Sequence, residues 1–472
     1  MPDRRPNFVY IMADDHAAHA LSWYGSAVNR TPNLDRIGAG GMRVDACFCT
    51  NSICTPSRAV ILTGTYSHVN GVTTLFSEID ARQPTFPAML QESGYQTAIV
   101  GKWHLGHGGI HDPVGFDYWE VLPGHGRYFD SEFVTPAGQQ VRPGYVTDVI
   151  TDLGLQWLRE RERDRPFCLL VHHKAPHRPW EPDTAHAHLY DDAPIPVPDT
   201  YDDDYSFRAS AAAAAKMRVA RDLTLADLKA EVPVELNAFE ASRWCYERYI
   251  QDYLRCVASL DDNVGRILDF LDEEGLVEDT VVMYTSDQGF FLGDHGWYDK
   301  RFMYEESLRM PLLVRYPREV PAGAHCDELV LNVDFAQTIL DYAGIPAHPR
   351  MQGDSLQPVL RGEHPTDWRR SMYYRYWEHL SDPHQVVAHY GVRTASHKLV
   401  YYYGQACGAP GAVDEARPPE WELFDLLADP KELHSRYGDP EYAEVVATLT
   451  AELDRLQAAL GDTGLHHGVA TP

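Results

Sequence analysis

Residues 54–64 read Cys54-Thr55-Pro56-Ser57-Arg58-Ala59-Val60-Ile61-Leu62-Thr63-Gly64. Pro56 suits the first turn of a helix, where a missing N–H costs nothing. Ala59 to Leu62 continue that helix and Gly64 can stop it. Cys54 is then expected beside a helix N-terminus, where free N–H groups and the positive dipole end gather anions. Arg58, one turn further in, adds a permanent charge and a planar fork of donors. Such a positive setting is expected to favour the Cys54 thiolate.

Working outward, short apolar runs recur, and each stops at polar residues. Residues 7–12 form a buried strand that ends in Asp14-Asp15-His16. Adjacent carboxylates repel unless a cation sits between them; taken alone, either could equally cap a helix. Residues 96–100 run into Gly101-Lys102-Trp103-His104, and residues 167–173 into Lys174-Ala175-Pro176-His177-Arg178-Pro179-Trp180. Residues 280–285 run into Ser286-Asp287-Gln288-Gly289, and residues 310–315 make a fifth strand. Strand–helix alternation over residues 7–345 predicts an α/β fold, a large mixed, mostly parallel sheet between helices. In such sheets sites form at the carboxyl ends of strands. Asp14 and Asp15, Lys102 and His104, His177, and Asp287 with Gln288 all fall at such ends.

The stretch 54–64 resembles the sulfatase family of the alkaline phosphatase superfamily, whose pattern is Cys-x-Pro-Ser-Arg-x-x-x-Leu-Thr-Gly. The Gly-Lys-Trp-His and Ala-Pro-His-x-Pro pieces are also family features. The resemblance implies that a maturation enzyme oxidises Cys54 to formylglycine. The aldehyde hydrate carries two hydroxyls on one carbon: one attacks the sulfur of a sulfate ester, and loss of the other's proton expels sulfate. A serine or thiol would lack that second hydroxyl. The resemblance also implies one divalent metal held by Asp14, Asp15, Asp287, Gln288 and modified Cys54. Gln288 is a longer arm than the family's more frequent Asn. An all-oxygen donor set favours Ca²⁺ over Zn²⁺. Arg58, Lys102 and Lys300 would bind the sulfate, His104 the formylglycine hydroxyl, and His177 would protonate the departing alcohol, a role for which histidine's ordinary pKa near ~6.5 is suited.

The totals fit this reading. The chain has 472 residues and a formal net charge of −28, which argues against nucleic acid or an anionic membrane as partner. An anionic substrate must therefore meet a local cationic pocket. Eight scattered cysteines form neither a disulfide framework nor a paired zinc spacing. No apolar stretch is long enough to span a bilayer, and residues 1–6 do not read as a signal peptide, so the expectation is a cytoplasmic enzyme.

Residues 1–355 are expected to be the catalytic domain, with an insertion over the site at 181–245 that contains a helix-prone alanine run at 209–220. A helix over 241–271 follows. Residues 356–472 should form a small C-terminal subdomain, an antiparallel sheet with a helix, and residues 461–472 a loosely held tail. Arg178, Trp180, His379, His384, Tyr390 and Arg393 are candidates to line a pocket for a sulfated sugar. The stretch 287–307 looks like bacterial carbohydrate sulfatases, including those acting on N-acetylglucosamine 6-sulfate. A phosphonate monoester or phosphodiester hydrolase on the same scaffold, or an inactive sugar-binding relative, are the alternatives. The sequence leaves oligomeric state open.

Overall fold

The strand Asn7–Ala13 is buried along its whole length, because parallel neighbours pair with it on both sides. Its side chains alternate between two cores. Phe8, Tyr10 and Met12 face one, and Val9, Ile11 and Ala13 face the other. A strand covered on both faces reads as a continuous apolar run, which is why it is visible in the sequence. The computed structural model describes residues 5–463. The expectation for the N-terminal residues 1–4 and most of that for the 461–472 tail lie outside the described residues.

The main sheet has ten strands. Five neighbours are parallel: Thr280–Ser286, Asn7–Ala13, Phe167–His172, Gln96–Lys102 and Tyr118–Leu122. Beyond Tyr118–Leu122 the hairpin Phe129–Thr135 and Gly138–Tyr145 continues antiparallel. On the other side Leu312–Arg315 runs antiparallel to Thr280–Ser286, Met42–Val44 is antiparallel to it in turn and so restores the common direction, and Ala324–Cys326 pairs parallel to Met42–Val44 at the edge. The long helix Ala238–Glu273 packs over the Val9 face with Pro32–Ala39 and Val146–Glu160. It starts at an Asn237–Glu240 capping box. The helix Cys54–Thr63 lies on the opposite face and is buried throughout.

The alanine run does not form one helix. Ser210–Ala214 and Val219–Asp222 are short and separate, with Ala215 extended between them. Ala211, Ala212 and Ala215 are buried, and Lys216 N–H donates to the His384 carbonyl at 2.8 Å. Tertiary contacts override local propensity there. At the C-terminus Ser371–Tyr376, His389–Thr394, His397–Tyr402 and Glu420–Asp425 form a four-stranded antiparallel sheet, packed by Ala443–Leu460. Among the described residues no helix is long and apolar enough to cross a membrane.

Candidate active site

The carboxyl ends of the five parallel strands meet at the N-terminus of the helix Cys54–Thr63. Ile53 is extended before that helix, and Gly64 ends it in the left-handed region at φ 61°. The left-handed conformation is what calls for glycine there. Gly101, at φ 95°, lets its strand approach the next; a Cβ there would meet the His172 carbonyl at 2.0 Å. Asp15 and His104, just past two strand ends, are left-handed at φ 66° and 56°. Non-glycine residues held so are strained, and such strain gathers at functional sites. The Asp15 N–H donates to Asp287 Oδ1 at 3.2 Å, which helps hold that turn.

Carboxylates and cations interleave in this buried cluster. Arg58 Nε and Nη2 lie 3.0 and 2.9 Å from Asp287 Oδ2, and Nη1 donates to the Lys102 carbonyl at 3.0 Å. Lys102 pairs with Asp14, and Lys300 with Asp15. Gln288 Nε2 donates to Asp15 Oδ1. Ser57 Oγ donates to the Asp287 carbonyl, tying the helix to the strand end. Thr55 Oγ1 lies 3.3 Å from His104 Nδ1. His177 Nδ1 lies 2.7 Å from the Arg178 carbonyl, so that nitrogen carries the proton and Nε2 faces Asp15 Oδ2 at 3.7 Å.

Burial and neighbouring charge divide the carboxylates. Burial pushes Asp14 up, but Lys102, Arg58 and Lys300 outweigh it and hold the carboxyl well below the usual range. Burial pushes Asp15 up to about 7, with Lys300 opposing and Asp14 and Asp287 adding to the rise. Asp287 is also raised, by burial and then by Asp14, against Arg58. The expectation of a Cys54 thiolate is corrected. Burial pushes the thiol up to about 11, and Lys102 and Lys300 recover only part of that. Desolvation exceeds the pull of the cations, partly because Asp14 and Asp287 stand among them. His177 is corrected likewise: burial, then Lys102, Lys300 and Lys174, push it well below the ordinary histidine value, so it is neutral before an anion arrives.

The donor set suits a hard cation. Asp14 Oδ1, Asp15 Oδ2 and Gln288 Oε1 are buried oxygens without a hydrogen-bond partner. Such atoms are costly unless something satisfies them. Asp14, Asp287 and Cys54 each bring a ligand atom within 4.8 Å of the others. Cys54 Sγ stands where the oxygens of a formylglycine would be, and with that exchange the set is all oxygen, the chemistry preferred by Ca²⁺ or Mg²⁺.

One residue here escapes sequence reasoning. His125 follows the strand Tyr118–Leu122 and places Nδ1 at 3.2 Å from Lys102 Nζ. Its ring stacks on His177 at 4.3 Å and meets His104 at 4.1 Å. The strand before it carries Glu120 in its centre, paired with Arg142 of the adjoining hairpin, and so does not read as an apolar run. The Pro123-Gly124-His125-Gly126 turn is the signal that could have found it.

Most of the expected sugar-pocket residues are placed elsewhere. Trp180 is wholly buried, with Tyr249 at 4.6 Å and Phe290 at 6.4 Å between ring centres. Arg178 forks onto Asp227 of the insertion but stays beside the site, its guanidinium 5.2 Å from the Tyr298 ring centre. His379 is buried, bonded to the Glu415 carbonyl at 2.8 Å and the Ala388 N–H at 3.1 Å. Tyr390 is buried in the C-terminal sheet, and Arg393 grips Glu305 through two 2.9 Å contacts. His384 stays near the site, 3.3 Å from Asp299, whose neighbour is Lys300.

A mixed α/β sheet whose parallel edge gathers carboxylates, cations and a helix-borne cysteine defines a hydrolase for esters of small oxyanions. Residues 6–345 match the Sulfatase family, and residues 293–459 match the family described as N-sulphoglucosamine sulphohydrolase, C-terminal. The N-acetylglucosamine-6-O-sulfatase of Bacteroides thetaiotaomicron is 40% identical, over 97% of this chain and 87% of its own. The human N-acetylglucosamine-6-sulfatase is 29% identical, over 99% of this chain and 87% of its own. A solved structure of a protein in complex with its substrate D-glucosamine-2-N,6-O-disulfate superposes with a TM-score of 0.91, at 39% identity, covering 98% of this chain and 99% of that one. The chain belongs to the sulfatase family and is a sulfuric ester hydrolase. Membership implies a formylglycine at the motif cysteine and a divalent metal.

Proposed function

We propose that this enzyme removes a 6-O-sulfate from a glucosamine-type sugar, using Ca²⁺ and a formylglycine that a maturation enzyme makes from Cys54. The single observation that carries this reading is the set of three unpartnered buried oxygens, Asp14 Oδ1, Asp15 Oδ2 and Gln288 Oε1, in the cluster that holds Cys54. The identity to N-acetylglucosamine-6-O-sulfatase over nearly the whole chain supports the sugar.

Asp14, Asp15, Asp287 and Gln288 would hold the metal. The metal and the formylglycine hydrate together supply an activated oxygen nucleophile and Lewis-acid stabilisation of the sulfate. The chain's own residues do the rest. Arg58, Lys102 and Lys300 are fixed cations in a water-poor site, so charge on the sulfate oxygens is met without reorganisation. His125 accepts from Lys102 and orients that ammonium. His104 sits over Thr55, ready to take a proton from the residue-54 side chain. His177 has Nδ1 committed to a carbonyl, which leaves Nε2 to deliver a proton to the departing sugar oxygen. Because burial keeps His177 neutral in the resting chain, it must gain that proton with the anionic substrate. Asp299 and His384 lie next to Lys300 and would read the sugar.

The test is sulfate release from N-acetylglucosamine 6-sulfate by protein co-produced with a maturation enzyme, beside an aryl sulfate and phenyl phosphonate. The reading expects the sugar sulfate to be turned over and the phosphonate to be poor. Preference for the phosphonate would replace it with the phosphonate hydrolase alternative.

A further inference from the structure

The same cavity contains a second, softer donor set. Cys54 Sγ and one ring nitrogen each of His104 and His125 lie within 4.8 Å of one another. Asp14 comes within that distance of Cys54 and, separately, of His125. One thiolate with two imidazoles and a carboxylate is the chemistry that selects zinc and similar thiophilic divalent metals over calcium. Neither histidine is committed to a carboxylate. His104 has Thr55 Oγ1 at 3.3 Å, and His125 has Lys102 Nζ at 3.2 Å. Lys102 keeps its ion pair with Asp14 if His125 turns to a metal.

We infer that the unmodified chain binds one Zn²⁺-type ion through Cys54, His104 and His125, with Asp14 nearest as fourth ligand, and that conversion of Cys54 to formylglycine abolishes this site. On binding, the Cys54 S–H bond breaks, its proton passes to solvent, and the sulfur bonds the metal, with no change in oxidation state. Tetrahedral zinc with bonds of ~2.0–2.3 Å places its donors roughly 3.5 Å apart, so the side chains must close by about 1 Å. They project from a helix start and two loops past strand ends, and the two rings must turn toward the sulfur to close that gap. The consequence is a metal choice set by residue 54: a thiophilic ion before maturation, a hard ion after it. The unmatured chain would be held in a metal-filled, inactive state. The inference needs only an intact Cys54, so it stands or falls independently of the sugar specificity proposed above.

The experiment is titration of Co²⁺ into full-length protein produced without a maturation enzyme, read by absorption. The expected result is one equivalent of Co²⁺ giving a near-ultraviolet thiolate-to-cobalt charge-transfer band and the visible bands of a tetrahedral ion, displaced by one equivalent of Zn²⁺ and not by excess Ca²⁺. Cys54→Ser should abolish the charge-transfer band. His125→Gln and His104→Gln should each weaken Co²⁺ binding at least tenfold, with circular dichroism showing the fold intact. Protein with formylglycine at position 54 should show no such band. Failure of the wild-type chain to develop it, its survival in Cys54→Ser, or its persistence in the modified protein would each overturn the inference.

Discussion

Arg58→Lys separates the two jobs assigned to the Arg58 guanidinium. The charge is kept, but the fork is lost. Arg58 makes three buried contacts, two to Asp287 Oδ2 at 3.0 and 2.9 Å and one to the Lys102 carbonyl at 3.0 Å. A lysine ammonium on a straight stem can satisfy one of these partners and not the others. Two of the three are hydrogen bonds, from Nε to Asp287 and from Nη1 to the Lys102 carbonyl; at ~1.5–3 kcal/mol for a bond to or from a charged group, losing one should cost about 1.5 to 3 kcal/mol. Against a typical total of ~5–15 kcal/mol that is a large share. Asp287 would also lose its orientation at the metal pocket. Urea unfolding followed by fluorescence gives the stability, and sulfate release from a sugar sulfate gives kcat/KM. The expected outcome is a midpoint shift matching about 1.5 to 3 kcal/mol, and a fall in kcat/KM for the fraction that remains folded. A loss below about 1 kcal/mol with unchanged kcat/KM would refute the argument that Arg58 anchors Asp287.

Three further outcomes follow from other parts of the molecule. His177→Ala should slow release of a sugar sulfate by roughly 10²-fold or more while barely affecting a nitrophenyl sulfate, whose leaving group needs no proton; equal losses on both would remove His177 as the acid. Trp180→Ala should cost ~3–5 kcal/mol in urea unfolding with KM unchanged, since the ring packs on Tyr249 and Phe290; a raised KM at unchanged stability would return it to the sugar pocket. Burial raises Glu422 to about 7 despite the Ala209 N–H and Tyr402 hydroxyl that bond it, so the folded chain binds a proton more readily there than the unfolded chain. The corresponding stability is present below the ordinary glutamate range and is lost as pH rises through about 7. Wild type should therefore lose about 3 kcal/mol more than Glu422→Gln between pH 4 and pH 8, and parallel pH profiles would contradict the assignment.

The chemistry of the site was legible wherever an apolar strand stopped at polar residues. Asp14, Lys102, His177 and Asp287 follow strands buried on both faces, and such strands announce themselves by continuous hydrophobicity. His125 was hidden because its strand carries Glu120, made tolerable by an arginine 22 positions later that only folding brings near. Trp180 was misread because an aromatic looks alike in sequence whether it stacks on a ligand or on Tyr249 and Phe290. The Cys54 thiol was misjudged for a related reason. A helix N-terminus and an arginine are visible in the sequence, whereas full burial and two neighbouring carboxylates are not, and these decide the sign of the shift. The alanine run failed as a helix because its buried alanines are set by packing under the C-terminal subdomain rather than by propensity.

The account rests on residue 54 being the reacting group. Preparations with graded extents of conversion, measured by mass spectrometry of the Cys54 peptide, should release sulfate from N-acetylglucosamine 6-sulfate at rates proportional to the formylglycine fraction, passing through zero. Full activity in protein whose Cys54 is intact would contradict it.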